Sequence, residues 1–230
     1  MYRLFITNKN YSSWSLRPWL LMRALGIAFE ERLVPLPASG ISEEFRRFSP
    51  TGRVPCLHDG DTVVWDSLAI VEYLAERHPG IWPAEPVARA FARSACAEMH
   101  AGFHTLRNHC SMSVGQRIVL REQPKKLRLE LARLAELWNE GLQRFGGPWL
   151  AGSQFTAVDA FFAPVAFRLR GYHLSLDARC DAYAERLLAH AAMRDWERAA
   201  LHEPWRDEPH ELEIAAVAAS ITDLRVIGTH

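Results

Sequence analysis

The chain has 230 residues, 49% of them hydrophobic, which is enough to bury one large core or two smaller ones. Lys plus Arg and Asp plus Glu number 27 each, so a net charge of zero gives no electrostatic basis for binding nucleic acid or an anionic membrane. No apolar run approaches the roughly twenty residues that span a bilayer, and the first residues lack a signal-peptide pattern. We therefore expect a cytoplasmic protein with no nucleic-acid or membrane partner.

Strand and helix patterns alternate in the first part of the chain. Strands are predicted over 2–8, 29–36, 54–59 and 62–66, and helices over 15–26, 42–49 and 67–78. A βαβ unit requires parallel strands with a right-handed crossover, whereas the tight Asp-Gly-Asp turn between the last two strands requires an antiparallel hairpin. Residues 1–78 are therefore predicted to form a thioredoxin-like domain with a mixed four-stranded sheet.

Strand patterns are not recognised after the proline-rich stretch 79–86, which we interpret as a linker. An all-helical domain is predicted over 87–230. Its helices are expected at 87–120, 124–145, 157–170, 181–190 and 193–201. The segment after Glu203 is ambiguous, and one more helix is possible there.

Three serines, Ser12, Ser13 and Ser15, lie where the first helix is expected to begin. A helix cap needs only one of them, most naturally Ser13 or Ser15. The other interpretation is a hydroxyl that donates to a ligand thiolate and lowers the thiol pKa. This stretch alone leaves both interpretations open.

Two further motifs have a structural and a functional interpretation. Val54–Pro55 is either an ordinary trans bond at a strand start or a cis bond that leaves the Val54 backbone free for an extended peptide. Asp66 and Ser67 begin a helix, so either residue could cap it, or the pair could bind an α-amino-carboxylate group.

Taken together, these motifs resemble the cytosolic glutathione transferase superfamily, over nearly the whole chain. The likeness is greatest to serine-type members such as the zeta class, whose motif SSxSWRxR matches Ser12, Ser13, Ser15 and Arg17. The resemblance implies that Ser12 is catalytic, that Val54 binds glutathione through its backbone and that Pro55 is cis. The residues implied to bind glutathione are Ser12, Ser13, Arg53, Val54, Pro55, Asp66 and Ser67.

The function implied is a transferase that activates the thiol of bound glutathione, its co-substrate, for attack on a small electrophile. An isomerase or peroxidase using the same site is one alternative, and an interaction module without turnover is another. The electrophile pocket is expected to include Trp14, Phe103, His104 and Arg107. The family also implies a homodimer. Thr156 and Asp159 match a capping box that serves folding.

Two points restrict this interpretation. The zeta-type isomerase holds its diacid substrate with an arginine on the central helix, whereas the matching position here, counted from Pro164, is Gly171. This departure argues against maleylacetoacetate isomerisation.

Cys96, His100 and His104 follow at four-residue intervals, but the outer two would be about 12 Å apart on one helix, so we expect no metal.

Overall fold

The computed structural model describes residues 1–36 and 43–226. Its strands are β1 (Tyr2–Ile6), β2 (Phe29–Leu33), β3 (Cys56–Asp59), β4 (Thr62–Trp65), β5 (Gln116–Leu120) and β6 (Ala218–Asp223). Its helices are α1 (Ser13–Ala24), α2 (Glu43–Arg46), α3 (Ser67–Ala75), α4 (Pro86–Ala101), α5 (His104–His109), α6 (Lys125–Arg144), α7 (Ala157–Gly171), α8 (Ala178–Ala189), α9 (Ala191–Leu201) and α10 (Glu208–Val217). Ser42, the expected start of the second helix, lies outside the described residues.

The four N-terminal strands form one mixed sheet in the order β2-β1-β3-β4. β1 runs parallel to β2 and antiparallel to β3, with Tyr2 opposite Phe29 and Leu4 opposite Leu57. β3 and β4 form the expected hairpin around Gly60, whose positive φ of 59° suits a residue without a side chain. The predicted thioredoxin-like topology is confirmed.

α1 joins the sheet to the helical part of the chain. Leu16, Leu20 and Leu21 are fully buried, and the helix packs against both α3 and α7. Pro18 lies inside α1, where its missing N–H removes the helical hydrogen bond to the Trp14 carbonyl. Packing against α3 and α7 nevertheless holds α1 from two sides.

α7 is buried along almost its whole length and forms the centre of the helical part. The predicted capping box is present at its start. The Asp159 carboxylate accepts hydrogen bonds from the backbone N–H of Thr156 (2.9 Å) and of Leu150 (3.0 Å). The Tyr183 hydroxyl donates to it as well (2.9 Å). Burial nevertheless raises the pKa of Asp159 to about 6.

The continuous helix expected over 87–120 is wrong. α4 ends at Ala101 with Gly102 as its C-cap, Phe103 takes a left-handed conformation (φ 53°), and α5 ends before β5. β5 pairs antiparallel with β6, which follows α10 in the ambiguous tail. The part after residue 86 is thus helical with an added two-stranded ribbon, whose strands are about a hundred positions apart.

None of the helices within the described ranges is both long enough and apolar enough to cross a lipid bilayer.

Candidate functional site

The expected serine motif lies at the N-terminus of α1. Ser12 is the cap, since its Oγ accepts a hydrogen bond from the Ser15 backbone N–H (3.3 Å). This corrects the expectation that Ser13 or Ser15 would cap the helix. The Ser12 hydroxyl also donates to Ser15 Oγ (2.7 Å), so its proton is already directed at a neighbouring hydroxyl.

The other two serines have different surroundings. Ser15 is fully buried, and its Oγ accepts from the Thr7 backbone N–H at 3.4 Å. Ser13 lines a cavity beside Ser12, and among the described residues its hydroxyl has no hydrogen-bond partner. The Ser12 and Ser13 hydroxyls can therefore contact a ligand, whereas the buried Ser15 hydroxyl accepts a hydrogen bond from Ser12.

Val54 lies just before β3, and the Val54–Pro55 peptide bond is cis, as the family resemblance implies. The strand pairing with β1 begins only at Cys56, opposite Phe5. Within the described ranges, the Val54 backbone N–H and C=O make no hydrogen bond to protein. Both groups remain available to a peptide.

Asp66 caps α3 in a left-handed conformation (φ 75°), with Oδ1 accepting from the Leu68 backbone N–H at 2.8 Å. Its Oδ2 lies 3.5 Å from His100 Nε2 on α4, and nearly half of the Asp66 side chain is exposed. Burial lowers the pKa of His100, although the Asp66 charge opposes this effect. A neutral His100 leaves the Asp66 charge available to a cation.

Two cavities meet at this place. The first has a volume of about 770 Å³, and we call it the peptide cavity. It is lined by residues on the hairpin side of the sheet and at the N-terminus of α3. Its lining residues include Arg46, Thr51, Arg53, Val54, Pro55, Trp65, Asp66 and Ser67. The second, of about 510 Å³, lies above the start of α1, and we call it the acceptor cavity. Ser12 and Ser13 line the acceptor cavity, and Trp14, Arg53, Val54 and Arg107 line both.

Comparisons with known proteins agree with this arrangement. The family described as "Glutathione S-transferase, N-terminal domain" matches residues 11–77, and "Glutathione S-transferase, C-terminal domain" matches residues 114–202. The chain belongs to the glutathione S-transferase family. The match includes both the serine motif and the α3 N-terminus, which carry the two ends of the site.

Individual relatives are more distant. A "Stringent starvation protein A homolog" of Pasteurella multocida is 27% identical over 154 residues, covering 66% of this chain and 68% of that protein. A "Probable maleylacetoacetate isomerase" of Caenorhabditis elegans is 26% identical over 172 residues, covering 71% and 77%. A Burkholderia glutathione transferase homolog, solved with bound glutathione, superimposes with a TM-score of 0.66 at 22% identity, covering 86% of this chain and 97% of that one. The last comparison shows the fold.

Of the four residues expected in the electrophile pocket of this transferase, the structure brings two to the site. Trp14 and Arg107 lie between the cavities, with the Arg107 guanidinium 4.6 Å from the Trp14 ring centroid. Phe103 and His104 line neither cavity, since Phe103 is buried at the start of α5 and His104 is exposed. Both were placed there by assuming one continuous helix, which the break at Gly102 removes.

Three arginines converge beneath the two cavities. Arg17, Arg107 and Arg168 form no ion pair with any carboxylate of the described residues. The Arg17 side chain is buried between two aromatic rings. Its Cζ lies 4.2 Å from the centroid of the Trp14 ring and 4.7 Å from that of the Phe161 ring. Its Nε has no hydrogen-bond partner among the described residues. Burial, together with the charges of Arg107 and Arg168, lowers its pKa to about 9. This uncompensated positive charge favours an anionic ligand.

The central helix also carries an arginine that counting from Pro164 places out of register with the expected position. Arg168 lines the acceptor cavity, and its Nε donates to the Cys110 carbonyl at 2.9 Å. Arg170, which is next to the expected position Gly171, instead pairs with Glu197 at 2.5 Å. An arginine of α7 therefore reaches the site. The absence of an arginine at Gly171 is thus no longer an argument against isomerisation.

One group of residues that sequence reasoning missed comes from α10 and its approach. They are Asp207, Pro209, His210 and Glu213, which form a wall of the acceptor cavity. Asp207 Oδ2 is hydrogen-bonded to His210 Nδ1, and Glu213 accepts from the Ser111 hydroxyl at 2.9 Å. The only signal for this wall was the possible helix in the tail, and nothing in its pattern indicates which face meets the site.

The expected Cys96–His100–His104 row is not formed, because His104 begins a separate helix. Among the residues that the structure describes, no three His, Cys, Asp or Glu side chains are grouped as metal ligands. All four cysteines are buried and free.

Proposed function

We propose that this protein binds glutathione in the peptide cavity and activates its thiol for attack on a small electrophile in the acceptor cavity. The observation that carries the proposal is the joining of the two cavities along Val54, with hydroxyls at one end and the α3 N-terminus at the other. An extended tripeptide with charged ends and a central thiol is complementary to that arrangement.

The groups along the peptide cavity support one orientation of glutathione. The γ-glutamyl end has an ammonium, which suits the exposed Asp66 carboxylate, and a carboxylate, which suits the Ser67 N–H and hydroxyl at the start of α3. The cysteinyl backbone then pairs with the Val54 N–H and C=O. Its thiol points toward Ser12 at the N-terminus of α1.

The proposed chemistry is thiol activation by hydrogen bonding. A thiol with its ordinary pKa near 8.5 is mostly protonated at neutral pH. A hydroxyl donor, a helix N-terminus and nearby arginines all favour the thiolate, whose proton passes to solvent. We assign the donor to Ser12, which must turn its proton away from Ser15 Oγ toward sulfur. Ser13, whose hydroxyl is unpartnered among the described residues, is the alternative that the serine variants separate.

The test is calorimetric titration with glutathione, followed by absorbance titration of the thiolate in the complex. We expect binding below millimolar concentration and a thiol pKa below that of free glutathione. S-methylglutathione is the matched control, since it should bind without a thiolate signal. Absence of glutathione binding at millimolar concentration would contradict the proposal. A screen of electrophiles against the same complex identifies the reaction.

Glutathione-dependent isomerisation is a second candidate, favoured by Arg168 in the acceptor cavity. A buried guanidinium without a carboxylate partner suits a substrate that carries its own carboxylate. The Caenorhabditis elegans relative is named as a probable maleylacetoacetate isomerase. Turnover of a cis carboxylated alkene without consumption of glutathione would favour this candidate over transfer.

The homodimer and the cytoplasmic location are proposals that rest on the family. Sedimentation of the protein at micromolar concentration tests the dimer, and a monomer there would contradict it.

A further inference from the structure

The segment that carries Ser12 is held mainly by residues from the far end of the chain. We call residues 8–12 the serine loop. The Glu203 carboxylate accepts from the backbone N–H of Lys9 (2.6 Å) and of Asn10 (3.2 Å). The Asn10 side-chain amide donates to the Ala200 carbonyl (2.5 Å) and accepts from the Gly115 N–H (3.1 Å). The Lys9 and Asn10 backbone N–H groups therefore depend on a tertiary partner, whereas the Tyr11 and Ser12 N–H groups donate to the Asn8 carbonyl within the loop.

The residue next to Ser12 is the centre of a second, charged set of contacts. Arg225 Nη1 donates to the Tyr11 hydroxyl oxygen at 2.7 Å, and that hydroxyl donates to Glu211 Oε1 at 2.5 Å. Arg225 also forms ion pairs with Glu211 (2.6 Å) and Asp223 (2.5 Å). We call these four residues the tail cluster. It connects the serine loop to α10 and to the end of β6.

The burial of Arg225 distinguishes the tail cluster from a surface ion pair. Only 2% of its side chain is exposed. The backbone on either side is anchored, since the Leu224 N–H donates to the Gly115 carbonyl (2.8 Å) and the Val226 N–H donates to the Leu201 carbonyl (2.9 Å). A Cβ on Gly115 would lie 2.3 Å from Arg225 Cγ, so the guanidinium reaches Tyr11 past a position that only glycine leaves open.

Tyr11 transmits this restraint directly to the helix start. Its backbone carbonyl accepts from the Ser13 N–H at 3.0 Å, immediately beside the Ser12 cap. Hydroxyl donors act on an acceptor only within about 3 Å for oxygen and slightly more for sulfur, and a shift of about 1 Å removes most of the effect. Fixing Tyr11 therefore fixes where the Ser12 hydroxyl can point.

We propose that Arg225 is a positioning residue for thiol activation, which acts through Tyr11 to hold the serine loop. The inference rests on the proposed function, because it concerns the same serine site. The same guanidinium holds Glu211 of α10, whose neighbours His210 and Glu213 line the acceptor cavity. One buried side chain thus sets the distance between the thiol-activating hydroxyl and the opposite cavity wall.

The test compares Arg225→Gln with Arg225→Lys, and with Arg170→Gln as the matched control. Arg170 also forms a two-pronged pair with a partly buried carboxylate, Glu197, but touches neither cavity nor the serine loop. In Arg225→Gln we expect the pKa of the bound glutathione thiol to rise by about one unit, a roughly tenfold loss of thiolate at neutral pH. Arg225→Lys should restore part of the shift, and Arg170→Gln should cause none.

Calorimetry on the same variants separates positioning from general damage. Glutathione affinity rests on Val54, Asp66 and Ser67, so its Kd should change less than about twofold in each folded variant. A rise in thiol pKa at constant Kd is a result that loosened packing alone would not give. An unchanged thiol pKa in folded Arg225→Gln would overturn the inference.

Tyr11→Phe tests whether Arg225 acts through the Tyr11 hydroxyl, and it changes no charge. It also tests the proposed positioning role if Arg225→Gln does not fold. Loss of the hydroxyl should reproduce most of the pKa rise, and the double variant should add little to it. A wild-type thiol pKa in Tyr11→Phe, or fully additive effects, would overturn the inference. If the wild-type protein does not bind glutathione, the proposed function fails first and the inference with it. A protein that binds glutathione but is insensitive to both variants refutes the inference alone.

Discussion

The two cavities differ in how widely their walls are spread along the chain. Apart from Arg107, the described residues that line the peptide cavity lie between positions 14 and 67. They belong to the N-terminal sheet and to the helices and loops next to it. The acceptor cavity takes residues from 7–14, 36, 45, 52–54, 107–112, 168 and 207–213. Local geometry within one stretch of the chain can therefore define most of the peptide cavity, whereas the acceptor cavity exists only once distant segments have packed together.

The Ser12→Ala variant should produce the largest effect on turnover, because Ser12 lines the acceptor cavity and is the assigned hydrogen-bond donor to the thiol. Loss of one hydrogen bond to a charged sulfur corresponds to about 1.5–3 kcal/mol, or roughly ten- to a hundredfold in rate. Glutathione affinity should change little. Since Ser12 also caps α1, thermal denaturation should reveal a loss of about 0.5–2 kcal/mol in stability.

Ser13→Ala is the control for this variant, because Ser13 lines the same cavity without capping the helix. A large rate loss in Ser13→Ala with a near wild-type Ser12→Ala would assign the donor to Ser13. If no serine variant changes the thiol pKa, hydroxyl activation is wrong.

The Asp66→Asn variant should affect the peptide cavity alone. Asn caps a helix as well as Asp does, so α3 should keep its stability while the charge facing the glutathione ammonium is lost. We expect glutathione Kd to rise by about tenfold, as measured by calorimetry, with no change in the thiol pKa of the saturated complex. An unchanged Kd would place the γ-glutamyl end elsewhere.

The Arg168→Gln variant should affect the acceptor cavity alone. The amide can still donate to the Cys110 carbonyl, but the charge is removed. Inhibition by a small dicarboxylate such as succinate should weaken about three- to tenfold, while glutathione affinity stays constant. Arg170→Gln is the control, since its guanidinium is engaged with Glu197. Equal inhibition of the wild type and Arg168→Gln would mean that no carboxylate binds there.

Thiol reagents should produce the smallest effect. Burial raises the pKa of Cys56 to about 11 and of Cys110 to about 12, so neither thiol ionises appreciably near neutral pH. A disulfide reagent such as dithionitrobenzoate should release almost no chromophore at pH 7.5 until the protein is denatured. Rapid modification of the folded protein would show a protein thiol competing with that of glutathione.

Five residues that the family resemblance implies for glutathione binding line the peptide cavity, namely Arg53, Val54, Pro55, Asp66 and Ser67. They lie in short segments whose local chemistry is visible in the sequence, such as Asp66 at the start of α3, whereas the role of each follows from the resemblance. The cap of α1 is Ser12, whereas Ser13 or Ser15 was expected. The sequence does not show which of several neighbouring serines takes the backbone conformation of a cap.

The acceptor cavity was largely missed because its walls depend on non-local pairing. Residues 116–120 form a strand only because 218–223 lie beside them, and no pattern within either segment indicates the partner. The interruption at Gly102 turns the following residues to a new direction, which removed Phe103 and His104 from the expected pocket. Arg168 was set aside because counting from Pro164 matches the expected arginine position to Gly171.

The contacts of the serine loop also determine the order in which the site can be completed during synthesis. The Lys9 N–H and the Glu203 carboxylate are 194 positions apart, and Tyr11 and Arg225 are 214 apart. The sheet and α3 can fold while the ribosome is still making the helical part, so the peptide cavity takes shape early. Loop closure over such separations comes late, since the partners do not yet exist. The serine loop is translated early and is therefore among the last segments to reach its final position.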